Sequence, residues 1–168
     1  MMIVSGPSKH GKSTSLKHLA KKLIEDNSFN ALYPVHDIEN ARRHYQISTL
    51  SDRQWRKGDW TVSFCKEEGV EPSGFIVTAG DYYSENLQRT YKKIFEDYDL
   101  DFVIAASRVR NDVYKELIRR GTAQNFIVVK ISPDYIETAD EEKLKKKYEE
   151  FAGELKKIFM WFRMNVLK

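Results

Sequence analysis

The chain has 168 residues, of which 41% are hydrophobic and 32% charged, and its formal net charge is +3. This length predicts one globular domain, and an aromatic content of 12% excludes a disordered chain. The single cysteine, Cys65, excludes a disulfide framework and a cysteine-built zinc site within this chain. The apolar runs are far shorter than the roughly 20 residues of a membrane helix, and the first residues lead straight into polar ones. We therefore expect a cytoplasmic protein with no membrane partner and no secretory signal.

Short apolar runs alternate along the chain with longer amphipathic stretches, which predicts an α/β fold in three layers. Its central, mostly parallel sheet is predicted to have five strands, at residues 2–5, 31–35, 75–79, 102–106 and 126–131. Helices are predicted at residues 12–26, 39–47, 84–98, 111–120 and 140–165. Residues 60–65 alternate between apolar and polar side chains, which predicts a small edge strand or a lid element. No segment has the composition of a linker, so we predict a single domain over residues 1–168.

The strongest motif lies between the first predicted strand and the first predicted helix. It fits the pattern G-x-x-x-x-G-K-[ST] at every fixed position and reads Gly6-Pro7-Ser8-Lys9-His10-Gly11-Lys12-Ser13, followed by Thr14. Gly6 and Gly11 permit the backbone angles that turn successive N–H groups inward around phosphate oxygens. Lys12 is expected to reach the β- and γ-phosphates of ATP, and the Ser13 hydroxyl to bind Mg²⁺. Residues 6–14, the phosphate loop, thus predict a three-layer P-loop NTPase fold with ATP and Mg²⁺ as cofactors.

A second magnesium position is predicted at Asp81, which follows the third apolar strand. An acidic residue there is also a common turn or helix-capping residue, and this alternative stays open. Motor-type ATPases place a Glu directly beside that Asp, but here the neighbour is Tyr82. The base-reading motif of GTPases is missing after the late strands. The sequence therefore favours a kinase over a motor ATPase or a GTPase.

The chain resembles the P-loop kinase superfamily. Its opening, Ile3-Val4-Ser5-Gly6-Pro7-Ser8 with Gly11-Lys12-Ser13-Thr14, is similar to guanylate and thymidylate kinases. Over more of its length it resembles bacteriophage-type polynucleotide 5′-kinases, through His36-Asp37, Arg42-Arg43, Asp81 and Glu116-Leu117-Ile118-Arg119-Arg120-Gly121. This resemblance implies that Asp37 is the general base for an acceptor hydroxyl and that Arg119 and Arg120 belong to a lid over ATP.

Each of these residues also has an ordinary structural explanation. Asp37 would cap a helix, and Arg119 and Arg120 would lie on a solvated helix face, paired with Asp112 and Glu116. Arg108 is the reserve candidate for the lid cation.

Residues 36–65 are predicted to form an acceptor-binding insert. They combine guanidinium groups with flat rings, which suits a phosphate beside a stacked base. The proposed acceptor-binding residues are Arg42, Arg43, Trp55 and Arg56, with Trp60 in the same segment. The alternative is a surface helix and loop whose aromatic side chains pack into the core.

Three segments hold most of the positive charge, since residues 9–22, 42–57 and 108–120 carry net charges of +5, +4 and +3. Loops after parallel strands are expected to bring these segments to one crevice. We therefore predict an ATP-dependent phosphotransferase acting on a nucleotide, a nucleoside or a nucleic-acid 5′ end. The alternative is a P-loop ATPase with a regulatory or assembly role and no acceptor. The long C-terminal helix, about residues 140–165, is apolar nearly all round at Phe159-Met160-Trp161-Phe162, which makes a homodimer through this helix a further prediction.

Overall fold

The computed structural model describes residues 1–7, 10–25, 33–34, 59–65, 71–80, 84–134 and 140–165. The strands are β1 (Met2–Ser5), β2 (Tyr33–Pro34), β3 (Thr61–Cys65), β4 (Gly74–Val77), β5 (Phe102–Ser107) and β6 (Val129–Ile131). The helices are α1 (Lys12–Ile24), α2 (Glu85–Asp97), α3 (Asp112–Ala123) and α4 (Glu141–Asn165). Within these described ranges, no helix is long and apolar enough to cross a membrane.

The strands form one sheet in the order β2-β3-β4-β5-β1-β6. Strands β4, β5, β1 and β6 are parallel, whereas β3 is antiparallel to both β2 and β4. The predicted α/β fold with a mostly parallel sheet is therefore confirmed, but the described sheet has six strands rather than five. The additional strand is β3, which lies between two other strands and so is neither an edge strand nor a lid. The predicted helix at residues 39–47 lies outside the described residues.

Helices cover both faces of the sheet, because successive residues of its buried strands point to opposite sides. In β1, Met2 and Val4 pack on one face and Ile3 on the other. The first face is covered by α1 and α4, which contribute Leu16, Leu19, Leu155 and Phe159. The second face is covered by α2 and α3, which contribute Leu87, Tyr91, Val113 and Leu117. The C-terminal helix thus packs on the sheet, and the centres of the Phe159 and Phe102 rings are 4.7 Å apart.

Candidate functional site

The phosphate loop connects the carboxyl end of β1 to the first turn of α1. The Gly6 N–H donates to the carbonyl oxygen of Ser107 on β5 at 3.2 Å, which fixes the start of the loop. Gly11 ends the loop with a φ of 71°, in the left-handed region that glycine tolerates best. The predicted order of strand, loop and helix is therefore present, although Ser8 and Lys9 lie outside the described residues.

The start of α1 differs from the starts of α2 and α3. Those two helices are capped by side chains, since Ser84 accepts from Leu87 N at 3.3 Å and Asn111 accepts from Tyr114 N at 2.9 Å. In the described structure, α1 has no side-chain cap at Gly11 and no acidic residue in its first turn. Its first N–H groups and the positive end of its dipole therefore favour a bound anion.

The side chain of Lys12 folds back over the start of the phosphate loop and is not in solvent. It is only 4% exposed, and its Nζ donates to the Pro7 carbonyl oxygen at 2.7 Å. Its ammonium group is therefore already held beside the loop. Half-buried His10 and exposed Thr14 flank the Gly11-Lys12-Ser13 turn.

The Ser13 hydroxyl connects α1 to the end of β4. Its Oγ donates to the Thr78 carbonyl oxygen at 2.7 Å, and Thr78 is 1% exposed. Because the hydroxyl proton is used in this bond, the oxygen lone pairs remain for a metal ion. Hydroxyl and carbonyl oxygens suit Mg²⁺, which takes few protein ligands and keeps water or phosphate oxygens. Among the described residues, no group of three or more His, Cys, Asp or Glu side chains could hold a metal ion.

The predicted magnesium ligand Asp81 lies outside the described residues. It follows three residues after Thr78 in the chain, and Thr78 is hydrogen-bonded to Ser13. Ser13 and the end of β4 are thus brought together as the sequence motifs require.

The ends of β4 and β5 are joined by a polar network that sequence analysis did not single out. The Asn111 amide donates from Nδ2 to the Gly80 carbonyl oxygen at 3.1 Å, and its Oδ1 accepts from Ser107 Oγ at 3.1 Å. The Arg108 N–H also donates to Gly80 O, at 3.2 Å. A Cβ on Gly80 would overlap the backbone of Ala106. The signals in the sequence are a glycine directly after an apolar strand and an asparagine at the start of a predicted helix.

The C-terminal helix α4 contacts the phosphate loop at Gly11. A Cβ on Gly11 would overlap the ring of Tyr148, which lies two turns into α4. Burial raises the pKa of the Tyr148 hydroxyl. The C-terminal helix therefore packs directly against the turn that begins α1.

Next to Ser13 and Thr78 lies a buried cation on an aromatic ring. Lys17 is one helical turn after Ser13, is 5% exposed, and places its Nζ 4.7 Å from the centre of the Trp60 ring. Burial lowers the pKa of Lys17, whereas the charge of Asp59 opposes this shift. Two hydrogen bonds join Trp60 to Thr78. The Trp60 N–H donates to Thr78 Oγ1 at 2.6 Å, and the Thr78 N–H donates to the Trp60 carbonyl oxygen at 2.8 Å.

The remaining predicted acceptor-side residues lie outside the described residues. They are Asp37, Arg42, Arg43, Trp55 and Arg56. Their predicted roles stay predictions, and the site on this side is described only through Lys17, Asp59 and Trp60.

Arg119 and Arg120 are not brought to the phosphate loop. They lie about 10 Å along α3 from its start at the carboxyl end of β5, given a rise of 1.5 Å per residue. The Arg119 guanidinium donates two hydrogen bonds to the Glu116 carboxylate, of 2.8 and 2.6 Å. Arg120 contacts Glu116 at 2.6 Å and Glu96 at 3.5 Å. The pairing with Glu116 matches part of the alternative that the sequence left open, whereas Asp112 pairs with Lys115. The lid role of Arg119 and Arg120 stays a prediction.

The described residues contain parts of two of the three predicted positive segments. Of the third segment, Arg108 and Arg110 lie in the turn at the carboxyl end of β5, where Arg110 adopts a φ of 61°. The first segment supplies Lys12 and Lys17, and the second, residues 42–57, lies outside the described residues. Arg108, the reserve candidate, is thus closer in the fold to the phosphate loop than Arg119 or Arg120.

Glu116 gives the fold a predictable acid sensitivity. Hydrogen bonds from Arg119 and Arg120 lower the pKa of Glu116 to about 2 from its ordinary value of 4.5. A lowered pKa in the folded state means that this stabilisation is complete above pH 4.5 and is lost as the pH falls towards 2. Glu116→Gln should therefore lower the urea midpoint at pH 7, and its difference from the unmodified chain should shrink below pH 4.5. Urea denaturation at several pH values, with exposed Glu85→Gln as control, checks this; a pH-independent difference would contradict it.

The chain matches no protein-family model, no curated protein and no solved structure. The resemblance to P-loop kinases therefore stays a prediction based on the motifs, and the function has to be argued from the geometry of the site.

Proposed function

We propose that this chain is a magnesium-dependent phosphotransferase of the P-loop kinase type, which moves the γ-phosphate of ATP to a nucleotide, a nucleoside or a polynucleotide 5′ end. One observation carries the proposal. Lys12 is folded against the loop between β1 and α1, and the neighbouring Ser13 hydroxyl is bonded to the carboxyl end of β4. An ammonium group, a helix N-terminus and a metal-binding hydroxyl therefore converge at one point.

The loop would hold the triphosphate through its backbone. The N–H groups before and within the first turn of α1 donate to phosphate oxygens, and Gly11 allows the turn that points them inward. Lys12 exchanges its bond to the Pro7 carbonyl for bonds to the β- and γ-phosphates. These contacts fix the γ-phosphorus in position and neutralise its oxygens, which is most of what phosphoryl transfer needs from a protein.

Ser13 and Asp81 would hold Mg²⁺ at the end of β4. Ser13 Oγ offers its lone pairs while still donating its proton to Thr78, so the hydroxyl needs no reorientation. A Mg²⁺ ion held there would supply positive charge that offsets the negative charge of the phosphates during transfer.

In the transfer step, the acceptor oxygen forms a bond to the γ-phosphorus as the bond to the β-phosphate oxygen breaks and ADP leaves. If the acceptor is a hydroxyl, its proton passes to the Asp37 carboxylate; an acceptor phosphate is already ionised and has no proton to give. Arg108 follows the strand whose Ser107 carbonyl holds Gly6, and we assign it the role of neutralising the transferred group.

A radiolabelled γ-phosphate screen tests the proposal. Purified chain is incubated with Mg·ATP and with nucleosides, nucleoside monophosphates or 5′-hydroxyl oligonucleotides, and the labelled products are separated. Label in one acceptor class supports the phosphotransferase. Release of labelled inorganic phosphate with no labelled acceptor would overturn it in favour of an ATPase.

Asp37→Asn distinguishes the two kinds of acceptor. If the acceptor is a hydroxyl, loss of the base should slow transfer by about 100-fold or more, since general-base catalysis is worth roughly 10²–10⁴. If it is a phosphate, which is already ionised, transfer should change little. Single-turnover rates measure the effect, and an equal binding constant for Mg·ATP in both proteins is the control.

A further inference from the structure

Trp60 and Lys17 form a compact unit beside the candidate magnesium position. We propose that Trp60 is the stacking surface for the nucleobase of the acceptor and that Lys17 holds this ring and attracts the acceptor's phosphate. The proposal rests on the proposed function and narrows its substrate class, because it requires an acceptor that carries a base.

The position of Trp60 follows from the sheet. Trp60 precedes β3, which is antiparallel to β4, so it lies at the same edge of the sheet as the carboxyl end of β4. Thr78 contacts both residues: its backbone N–H and its hydroxyl pair with Trp60, and its carbonyl oxygen accepts from Ser13. One residue thus connects the indole to the hydroxyl proposed to bind Mg²⁺. An acceptor stacked on Trp60 would lie one strand away from the end of β4, where Ser13 is bonded to Thr78, on the side away from β1.

Two hydrogen bonds, of 2.6 and 2.8 Å, fix the backbone of Trp60, and the Lys17 ammonium lies against its ring. The indole is therefore held in place before a ligand binds. Part of Trp60 remains exposed. Lys17 covers one face of the indole with its ammonium, and a cation on one face of a ring is compatible with a flat group on the other. Aromatic rings next to cations are the combination that proteins use to bind bases and the adjoining phosphates.

Lys17 is suited to the second role because of where α1 places it. It is one turn after Ser13, so its charge projects from the same face of the helix. It is almost fully buried, and a buried cation acts through a lower dielectric than an exposed one. Burial lowers the pKa of Lys17, and the nearby charge of Asp59 opposes this shift. Lys17 therefore adds a positive charge on the acceptor side, separate from that of Lys12 in the phosphate loop.

Two probes test the subsite without ATP. Binding of 3′-fluorescein octathymidylate with a free 5′ hydroxyl is followed by fluorescence anisotropy, and thymidine monophosphate is used as competitor. The variants are Trp60→Leu, Trp60→Phe and Lys17→Met. The matched controls are Trp161→Leu, at a Trp that is 56% exposed, and Lys92→Met, at an exposed lysine of α2. Thermal unfolding by circular dichroism confirms that each variant folds.

Trp60→Leu should raise the dissociation constant by roughly 5-fold or more, because stacking on an aromatic ring is lost. Trp60→Phe keeps a ring and should stay within about 2-fold of the unmodified chain. Lys17→Met should weaken binding and flatten its dependence on salt, and both controls should bind like the unmodified chain. A Trp60→Leu variant that binds as tightly as the Phe variant would overturn the proposal, as would no binding of either probe at about 1 mM.

The two probes separate the sources of the base. If octathymidylate binds in a Trp60-dependent way and the monophosphate does not compete, the acceptor is a nucleic-acid end. If the monophosphate competes, a mononucleotide fits the same surface. Binding of Mg·ATP is measured separately: Trp60-dependent binding of a probe with no binding of Mg·ATP would refute the proposed function while leaving the base surface standing.

Discussion

Replacing Lys12 by Ala is expected to lower the affinity for Mg·ATP by roughly 10- to 100-fold, the usual effect of losing a hydrogen bond to a charged group. The reason is local. Lys12 is 4% exposed and its Nζ already lies beside the loop, bonded to the Pro7 carbonyl. Removing it leaves the β- and γ-phosphates without their cation. Transfer of the γ-phosphate should fall further, by about 100-fold or more, because this charge matters most in the transition state.

Competition with a fluorescent ATP analogue measures the affinity, and single-turnover phosphate transfer measures the rate. Lys21→Ala is the matched control, since Lys21 lies at the other end of the same helix, half-exposed, in an ion pair with Glu25. It should leave both values within about 2-fold. Equal affinities for the Lys12→Ala variant and the unmodified chain would remove the phosphate loop from the account.

Gly11→Ala is expected to destabilise the fold and to weaken Mg·ATP binding together. The alanine side chain would meet the ring of Tyr148, and the residue would have to keep a φ of 71°. The left-handed conformation costs an alanine roughly 1–2 kcal/mol, and overpacking adds about 1–3 kcal/mol. Any movement that relieves the clash shifts the first N–H groups of α1, so the phosphate contacts weaken as well.

A double variant separates the two causes. Tyr148→Ala removes the ring, so Gly11→Ala should cost less stability in that background than in the unmodified chain, with the strain at φ 71° left over. Gly153→Ala is the control, because a Cβ there meets nothing within 4 Å. It lies inside α4 and should stabilise the chain by about 0.5–1 kcal/mol. Urea denaturation midpoints are measured for Gly11→Ala, Tyr148→Ala, the double variant and Gly153→Ala. If Gly11→Ala lowers the midpoint equally with and without the Tyr148 ring, the ring does not pack against the loop.

Most of the sheet and its helices could be predicted from the sequence, because buried parallel strands are short continuous apolar runs. The runs at residues 2–5, 75–79 and 102–106 became β1, β4 and β5 for this reason. Residues 61–65 alternate like a surface strand, yet β3 is paired on both sides. The polar Ser63 is buried like its neighbours Val62 and Phe64, so the alternation of this strand reports neither an exposed face nor the number of neighbouring strands.

The order of strand, glycine-rich turn and helix at residues 2–24 was predictable because its signals lie in consecutive residues. The contacts of Trp60 with Lys17 and Thr78 were not, because they form only through the pairing of β3 with β4 and the packing of α1 on the sheet. Arg119 and Arg120 were predicted as a phosphate lid from their density in the sequence. In the structure Glu116 lies one turn before them on the same helix and pairs with both. Opposite charges three or four residues apart on a helix lie close enough to form an ion pair.

Calorimetric titration of the unmodified chain with Mg·ATP tests the central claim most directly. We expect one saturable site per chain, competition by inorganic tripolyphosphate, and loss of most of the heat when Mg²⁺ is removed with a chelator. Competition by tripolyphosphate matters because the loop is proposed to bind the phosphates and not the base. No saturable heat up to about 1 mM Mg·ATP would contradict the account.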